Sequence, residues 1–391
     1  MNERGGRATE ARRGWGGRLL WVGALACWSV AGAAEAVSWE SQGLVAGGWE
    51  SNPLEWIEKP HRGGDGFIRV EVGLRFLEGT PGEATRLAGG LRWGSDRYHR
   101  ERTENRQILQ GDCTWSHAGA RHGVSVFGRA LARFYPHQSD GDRALQGDRD
   151  LLRLEGGVRG RWVFPSGRSL HAQLAGLALR KEALVLTGIG GDPQAREEIG
   201  RSRHGAQLSV EMRAGLHPGW QWLGRGEVGR IVHDREAVGQ PVDASIRGKG
   251  ERRSDTTWLL GLTLRRLQMP VLDVSAAFVR AESNSFAVGS QRLLLEATAG
   301  ILLPAGVSGH LMARWHPVTH YDEDARSVDP YEDPDDPEFG ERNRVALRLV
   351  KPVARGLSLE LQGTWERNEA LVLLDYYEKT QLWAGVRFTG R

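Results

Sequence analysis

The sequence is poor in cysteine, in lysine and in long apolar runs. Its 391 residues contain two cysteines, and only five of its 52 basic residues are lysine. Beyond the N-terminal segment Cys113 is the one remaining cysteine, which excludes an intrachain disulfide and CxxC metal or redox chemistry. No run of eighteen apolar residues follows that segment, so a transmembrane helix is not expected.

The net charge and the missing motifs exclude further classes of function. The formal net charge is +3 and falls to about +1 without the N-terminal segment, so a nucleic-acid partner is not expected. The glycine-rich stretch at 188–191 lacks the Gly-Lys-Ser/Thr of a phosphate-binding loop. The histidines show no zinc-ligand spacing. We therefore expect neither a metal nor a cofactor.

The N-terminus has the pattern of an export signal. Several arginines precede an apolar stretch from Leu19 to Ala26, and Ala34-Glu35-Ala36 fits a small-x-small cleavage site. The surroundings of Arg12-Arg13 fit a twin-arginine signal poorly, and Ala24 stands where a lipoprotein signal has leucine. The sequence predicts a signal peptide over residues 1–36 and one domain over residues 37–391.

The mature chain is dominated by a two-residue alternation. Ile68, Val70 and Val72 alternate with Arg69 and Glu71. Successive strand residues point to opposite faces of a sheet, so each such stretch has one apolar and one polar face. A soluble sandwich and a membrane barrel both fit this pattern, because in a barrel the apolar face meets lipid and the polar face lines a lumen.

The lengths of the connections favour the barrel. Seven short turns alternate with eight long, charged loops, which is typical of outer-membrane barrels with short periplasmic turns and long external loops. The sequence predicts an all-β, up-and-down antiparallel transmembrane β-barrel of about sixteen strands, within the range 14–18. The expected strand starts are Gln42, Gly66, Thr85, Arg106, Arg121, Arg149, Arg168, Arg203, Trp220, Asp255, Val271, Ser290, Val307, Glu341, Leu357 and Tyr377.

Aromatic residues sort to the two ends of the predicted strands. Outer-membrane barrels carry aromatic girdles at both lipid interfaces. Phe388, in the last strand, resembles the terminal aromatic that the barrel-assembly machinery reads, although it lies three residues before the end. The predicted interface aromatics are Trp93, Trp115, Trp162, Trp222, Trp258, Trp315, Trp365 and Phe388.

The polar face carries more arginine than acid, which predicts a net positive lumen. Its fifteen arginines are Arg69, Arg75, Arg86, Arg92, Arg129, Arg133, Arg153, Arg159, Arg161, Arg213, Arg225, Arg265, Arg314, Arg348 and Arg387. Its eight acids are Glu71, Asp112, Glu155, Glu211, Glu227, Asp273, Glu296 and Glu360. Arginine grips carboxylate or phosphate, but the same side chains also brace a wall by pairing across strands. Both roles are expected here.

The end of the first strand carries one motif. Gly47-Gly48-Trp49-Glu50-Ser51-Asn52-Pro53 resembles the Gly-x-x-Asp-Ser-Asn opening of some outer-membrane barrels, with Glu in place of Asp. Those barrels are tied to exopolysaccharide export or form part of surface-lipoprotein assembly proteins. The helical repeats of the lipoprotein-assembly group are absent, so the resemblance implies the export group. An ordinary strand end with an Asn-Pro turn also fits.

Two further features bear on function. Ser308 and His310 share a face but lack an evident activating group, so an enzyme is not expected. The acidic segment 321–340 suits a solvated loop or a divalent-cation contact with lipopolysaccharide.

The sequence predicts a porin-like barrel in a Gram-negative outer membrane that passes anionic solutes or an acidic polysaccharide. Its partners would be outer-membrane lipid, lipopolysaccharide and the barrel-assembly machinery. A scaffold barrel filled by an export-complex or periplasmic redox partner is the alternative, and a soluble periplasmic β-protein is the third.

Overall fold

The computed structural model describes residues 37–51, 64–79, 83–136, 150–181, 184–187, 196–199, 202–238, 248–285, 289–316, 318–320, 342–369 and 376–390. The predicted signal peptide, the glycine-rich stretch at 188–191 and the acidic segment 321–340 lie outside these ranges. No helix within them is long and apolar enough to cross a membrane.

Sixteen long strands form one sheet. In chain order they are β1 (Val37–Glu50), β2 (Asp65–Glu78), β3 (Thr85–Tyr98), β4 (Arg106–Ala118), β5 (His122–Phe134), β6 (Leu151–Val163), β7 (Ser169–Lys181), β8 (Arg203–His217), β9 (Trp220–Val238), β10 (Gly248–Arg266), β11 (Val271–Ser283), β12 (Ser290–Leu302), β13 (Ser308–Trp315), β14 (Arg342–Ala354), β15 (Leu357–Glu369) and β16 (Tyr376–Gly390). A short hairpin joins Leu184–Thr187 to Arg196–Ile199, and Val318–His320 pairs with β12 beyond β13.

The sheet closes on itself. Every long strand pairs antiparallel with its neighbours in sequence, and β1 pairs with β16 from Ser41↔Gly390 to Glu50↔Gln381. This confirms the predicted sixteen-stranded up-and-down barrel. When the paired residues are followed from strand to strand once around the barrel, the path returns to β1 roughly 20 residues from its starting residue. An offset of this size requires steeply tilted strands.

The predicted strand starts agree with the structure to within two residues, except at β1 and β10. The first strand begins at Val37 rather than Gln42. The charged stretch 234–254 predicts a loop before Asp255. This prediction is partly wrong, because β9 runs on to Val238 and β10 begins at Gly248. The charged residues there pair across the hairpin, as at Glu236↔Arg252, after a shift in register.

The short connections define what we call the turn end of the barrel, and the long ones define the loop end. Gly219 and Gly356 have φ values of 82° and 73°. Each is the second residue of a two-residue hairpin loop, where left-handed backbone favours glycine.

The two faces of the wall differ in exposure. On the apolar face Leu260 is 70% exposed and Trp162 is 59% exposed. On the polar face Glu50 and Arg253 are fully buried. Side chains crowd on the concave side of a closed barrel and spread apart on its convex side, so the polar face is the inner face. Large, exposed apolar side chains in a continuous band indicate a surface that meets lipid.

Candidate functional site: the inner face of the barrel

Most of the predicted arginines are paired with a carboxylate on the inner face. The side chains of Arg69 and Asp96 approach to 2.7 Å, and those of Arg265 and Asp273 to 2.8 Å. Glu360 accepts from both Arg348, at 2.7 Å, and Arg387, at 2.6 Å. The further pairs are Arg92–Glu71, Arg129–Glu155, Arg153–Glu155, Arg213–Glu211, Arg225–Glu227 and Arg314–Glu296.

Several inner-face carboxylates are not among the eight predicted acids. Asp96 accepts hydrogen bonds from Arg69 and Arg106, and Glu366 lies 3.2 Å from the Nε of Arg344. The charged stretch that begins at Asp96 predicts a loop, but β3 runs on to Tyr98. The two-residue alternation of β3 continues through Asp96 and Tyr98, which both lie on the inner face. This continuation is the feature of the sequence that indicates the longer strand.

A second missed cluster lies at the loop end of β9 and β10. His233 Nε2 and Asp255 Oδ2 are 2.9 Å apart, and the fully buried Arg253 donates from Nη2 to the same carboxylate oxygen at 2.8 Å. The sequence predicts a strand start at Asp255 and does not place this residue among the eight polar-face acids. Because His233 and Arg253 both bond to the buried carboxylate of Asp255, this cluster stabilises the extended β9–β10 hairpin.

A few predicted arginines have no carboxylate among the residues that the structure describes. Arg159 donates from Nε to the amide oxygen of Gln173 at 2.6 Å and lies 4.1 Å from the ring centre of Phe127. The Nε atoms of Arg86 and Arg133 are buried without a hydrogen-bond partner in that part of the chain. The others without a carboxylate are Arg75 and Arg161. All except Arg133 lie towards the turn end of β2, β3 and β6.

The motif at the end of β1 fastens the seam between β1 and β16. Glu50 is fully buried, accepts hydrogen bonds from Tyr98 and Gln381, and lies 2.9 Å from Lys379 Nζ. Ser51 extends the seam, because its backbone N–H donates to the carbonyl of Thr380 at 2.9 Å and its hydroxyl accepts from the Thr380 N–H at 2.8 Å.

Beside Glu50 a small apolar cluster interrupts the polar inner face. Leu44, Ala46, Phe67, Tyr98 and Trp383 are all buried together. The guanidinium of Arg69 lies 5.4 Å from the Phe67 ring and 5.8 Å from the Trp383 ring, which are cation–π distances. A Cβ on Gly48 would come within 2.7 Å of Phe67 and within 2.6 Å of Trp383, so the motif needs glycine there.

Replacing Lys379 with methionine is expected to weaken the seam. The change leaves the buried Glu50 carboxylate without its cation, and breaking a buried ion pair costs about 3–5 kcal/mol. The measurement is the temperature at which the folded band on a heat-modifiability gel disappears, which should fall. Adding Glu50→Gln to this variant removes the negative charge that has lost its cation, and should restore part of the lost thermal stability. An unchanged midpoint in Lys379→Met would show that the ion pair does not hold the seam.

The predicted interface aromatics all lie on the outer face. Trp258, Trp315 and Phe388 are about half exposed, and Trp162 is more exposed still. Trp365 donates from Nε1 to Glu378 at 2.7 Å at the loop end. A role at the lipid interfaces remains a prediction for the full set, which also includes Trp93, Trp115 and Trp222.

The remaining candidate groups show no reactive arrangement. Ser308 donates to the carbonyl of Val350 at 3.4 Å rather than to His310. Within the described ranges, no group of three or more His, Cys, Asp or Glu side chains is placed to hold a metal ion. Cys113 is half-buried and forms no disulfide within the described ranges.

Comparison with known proteins identifies no family for this chain. No family matches the chain, and no curated protein is similar to it. Solved structures do match. The chain has the fold of an outer-membrane β-barrel. A bacterial polysaccharide outer membrane secretin matches 90% of this chain and 98% of its own at 9% identity, with a TM-score of 0.42.

Two further structures match at similar levels. Acinetobacter baumannii OccAB1 matches 92% of this chain and 98% of its own at 9% identity, with a TM-score of 0.46. A mutant porin of Rh. blastica matches 91% of this chain and all of its own at 10% identity, with a TM-score of 0.39. Among these neighbours are porins and other channels.

Proposed function

We propose that the protein is a passive channel of the Gram-negative outer membrane, exported by a signal peptide over residues 1–36, and that its net positive lumen passes anionic solutes or an acidic polysaccharide. The barrel supports this proposal by its size, because sixteen strands enclose an aqueous lumen rather than a packed core. It resides among outer-membrane lipid and lipopolysaccharide after insertion by the barrel-assembly machinery.

The observation that carries the proposal is the set of inner-face arginines without carboxylates. Paired arginines brace the wall and contribute little net field, as at Arg265–Asp273. Arg75, Arg86, Arg159 and Arg161 lack such a partner among the residues described, so their charge acts on the lumen. A unit charge about 4 Å from a passing ion is worth about 1 kcal/mol even in water, or roughly fivefold in local concentration.

Liposome swelling tests the proposal with two sugars of matched size. Liposomes containing the refolded mature chain should swell faster in glucuronate than in glucose, because the positive wall concentrates the carboxylate. Equal rates would contradict the anion preference. No swelling in either solute, from a barrel that is folded by gel mobility, would support instead a scaffold whose lumen is filled by loops or by an export partner.

Replacing Asp273 with asparagine should raise the anion preference. Asp273 pairs with Arg265, and both side chains are about one third exposed, so the change frees one positive charge near the turn end without burying it. The expected shift in the anion-to-cation permeability ratio is about twofold or more upwards. Reversal potentials in a salt gradient measure it. A fall in the ratio would contradict the proposed sign of the lumen.

A further inference from the structure

We propose that the inner-face row Arg86–Ser116–Ser125–Arg159–Gln173 is an oxoanion-binding subsite of this channel. The subsite deepens the proposed function and rests on it: the solute would be held by a carboxylate, sulfate or phosphate group as it passes the turn end. Arg161, one row nearer the turns, adds a third positive charge.

The strand register places these residues side by side. Arg86 is opposite Ser116, Ser116 is opposite Ser125, Ser125 is opposite Arg159, and Arg159 is opposite Gln173. Neighbouring strands are about 4.8 Å apart, so the two arginine backbones lie roughly 14 Å apart with two serines between them. The long arginine side chains can therefore reach towards one ligand from both sides while hydroxyl groups lie below it.

The wall fixes one of the two arginines in place. Arg159 is held at Nε by the Gln173 amide oxygen, at 2.6 Å, and against the face of Phe127. These contacts leave its terminal N–H groups without a partner in the described ranges. A guanidinium that is fixed in this way loses less entropy when it binds a ligand.

The other arginine has one nitrogen without an acceptor among the described residues. The Nε of Arg86 is buried and without a hydrogen-bond partner among the described residues, whereas buried polar atoms are normally bonded. Ser116 donates to the backbone carbonyl of Arg86 at a long 3.5 Å, a contact that its hydroxyl can exchange for an anion.

The charges around the row favour an anion over a cation. None of its five residues is acidic. The nearest inner-face acids by register are Glu211, which lies one strand beyond Gln173 and pairs with Arg213, and then Asp112 and Glu155, which both face Arg129. Elsewhere around the barrel Arg265, Arg348 and Arg387 are all paired with Asp273 or Glu360. The uncompensated charge is thus confined to one side of the barrel.

The chemistry of the row selects oxoanions over chloride. A planar guanidinium donates two parallel hydrogen bonds, which match two oxygens of a carboxylate, sulfate or phosphate. Chloride offers a single centre, which matches the two parallel donors less well. The same group could belong to free inorganic phosphate or to an acidic sugar, and the two probes below separate these sources.

Block of single-channel chloride current tests the subsite. Inorganic phosphate and glucuronate, each titrated into potassium chloride, should reduce the current of the unmodified protein in a saturable manner. Arg86→Gln with Arg159→Gln should raise the half-blocking concentration at least about 10-fold, because both charge-assisted hydrogen-bond donors are lost. Block by phosphate alone would assign the subsite to the free ion, and block by glucuronate alone would assign it to sugar acids.

The matched control is Arg265→Gln with Asp273→Asn. It neutralises one arginine and one aspartate at the turn end of the opposite wall and leaves the net charge unchanged. It should keep the half-blocking concentration of the unmodified protein. Block that does not saturate, or that is equal in the Arg86/Arg159 variant, would overturn the subsite while leaving the channel intact.

A folded barrel without any current would overturn the channel proposal instead. Calorimetry with phosphate and the detergent-solubilised protein would then decide the subsite by itself. Heat of binding that is lost in the Arg86/Arg159 variant supports it, and equal heats in both proteins overturn it.

Discussion

Replacing Arg75, Arg86, Arg159 and Arg161 together with glutamine is expected to abolish most of the anion preference of the channel. These four arginines lack a carboxylate in the described part of the chain and lie towards the turn end of β2, β3 and β6. Because each charge changes the local anion concentration several-fold, the permeability ratio should fall by about 10-fold or more, to near unity or below. Reversal potentials across a salt gradient measure this ratio.

The matched control neutralises arginines that are already paired. Replacing Arg69, Arg153 and Arg213, which lie against Asp96, Glu155 and Glu211, should change the ratio much less and should chiefly lower stability. If both variants lost the preference equally, pairing would not decide which arginines act on the lumen. The assignment of selectivity to the unpaired set would then be wrong.

Replacing Gly48 with valine is expected to prevent closure of the barrel. A Cβ at Gly48 would lie 2.6 Å from the carbonyl oxygen of Leu382 and 2.6 Å from the Cβ of Trp383, both on β16. Overpacking a core commonly costs 1–3 kcal/mol, and here one of the clashing atoms is backbone that cannot move without breaking the seam, so a cost above about 3 kcal/mol is expected. The measurement is the yield of the compact, heat-modifiable band after refolding.

The neighbouring glycine supplies the control. Gly47 is on the outer face, and nothing lies within 4 Å of its added Cβ, so Gly47→Val should refold with nearly the yield of the unmodified protein. Equal loss in both variants would point to a general intolerance of bulk in β1. Equal success would show that the seam adapts around Gly48.

The fold could be predicted from the sequence because period-two alternation and connection length are local properties. Almost all strand starts, from Thr85 to Leu357, agree with the structure. The exception at β10 arose where Arg252 and Arg253 resemble a charged loop. They pair as a strand in the part of the β9–β10 hairpin that extends past its neighbours, where Arg252 is exposed and Arg253 is buried.

The ion pairs of the inner face could be predicted only in part. The two-residue alternation shows on which face a side chain lies, but it does not show which side chain it pairs with. Arg69 and Arg75 lie on the same face of β2, and each has a carboxylate opposite it in register, Asp96 for Arg69 and Glu40 for Arg75. Only Arg69 forms an ion pair with its carboxylate among the described residues. Register depends on the whole closed sheet. The seam cluster around Trp383 was missed for a related reason, because an apolar residue on a polar face contradicts the alternation that defines the strand.

The central claim is that an open, anion-preferring lumen runs through this barrel. The most direct test is the conductance of a single refolded mature chain in a planar bilayer, with the reversal potential in a gradient of potassium chloride. A steady ohmic current whose reversal potential lies on the chloride side of zero is the predicted result. A correctly folded barrel without current, or one whose reversal potential lies on the potassium side, would contradict the account.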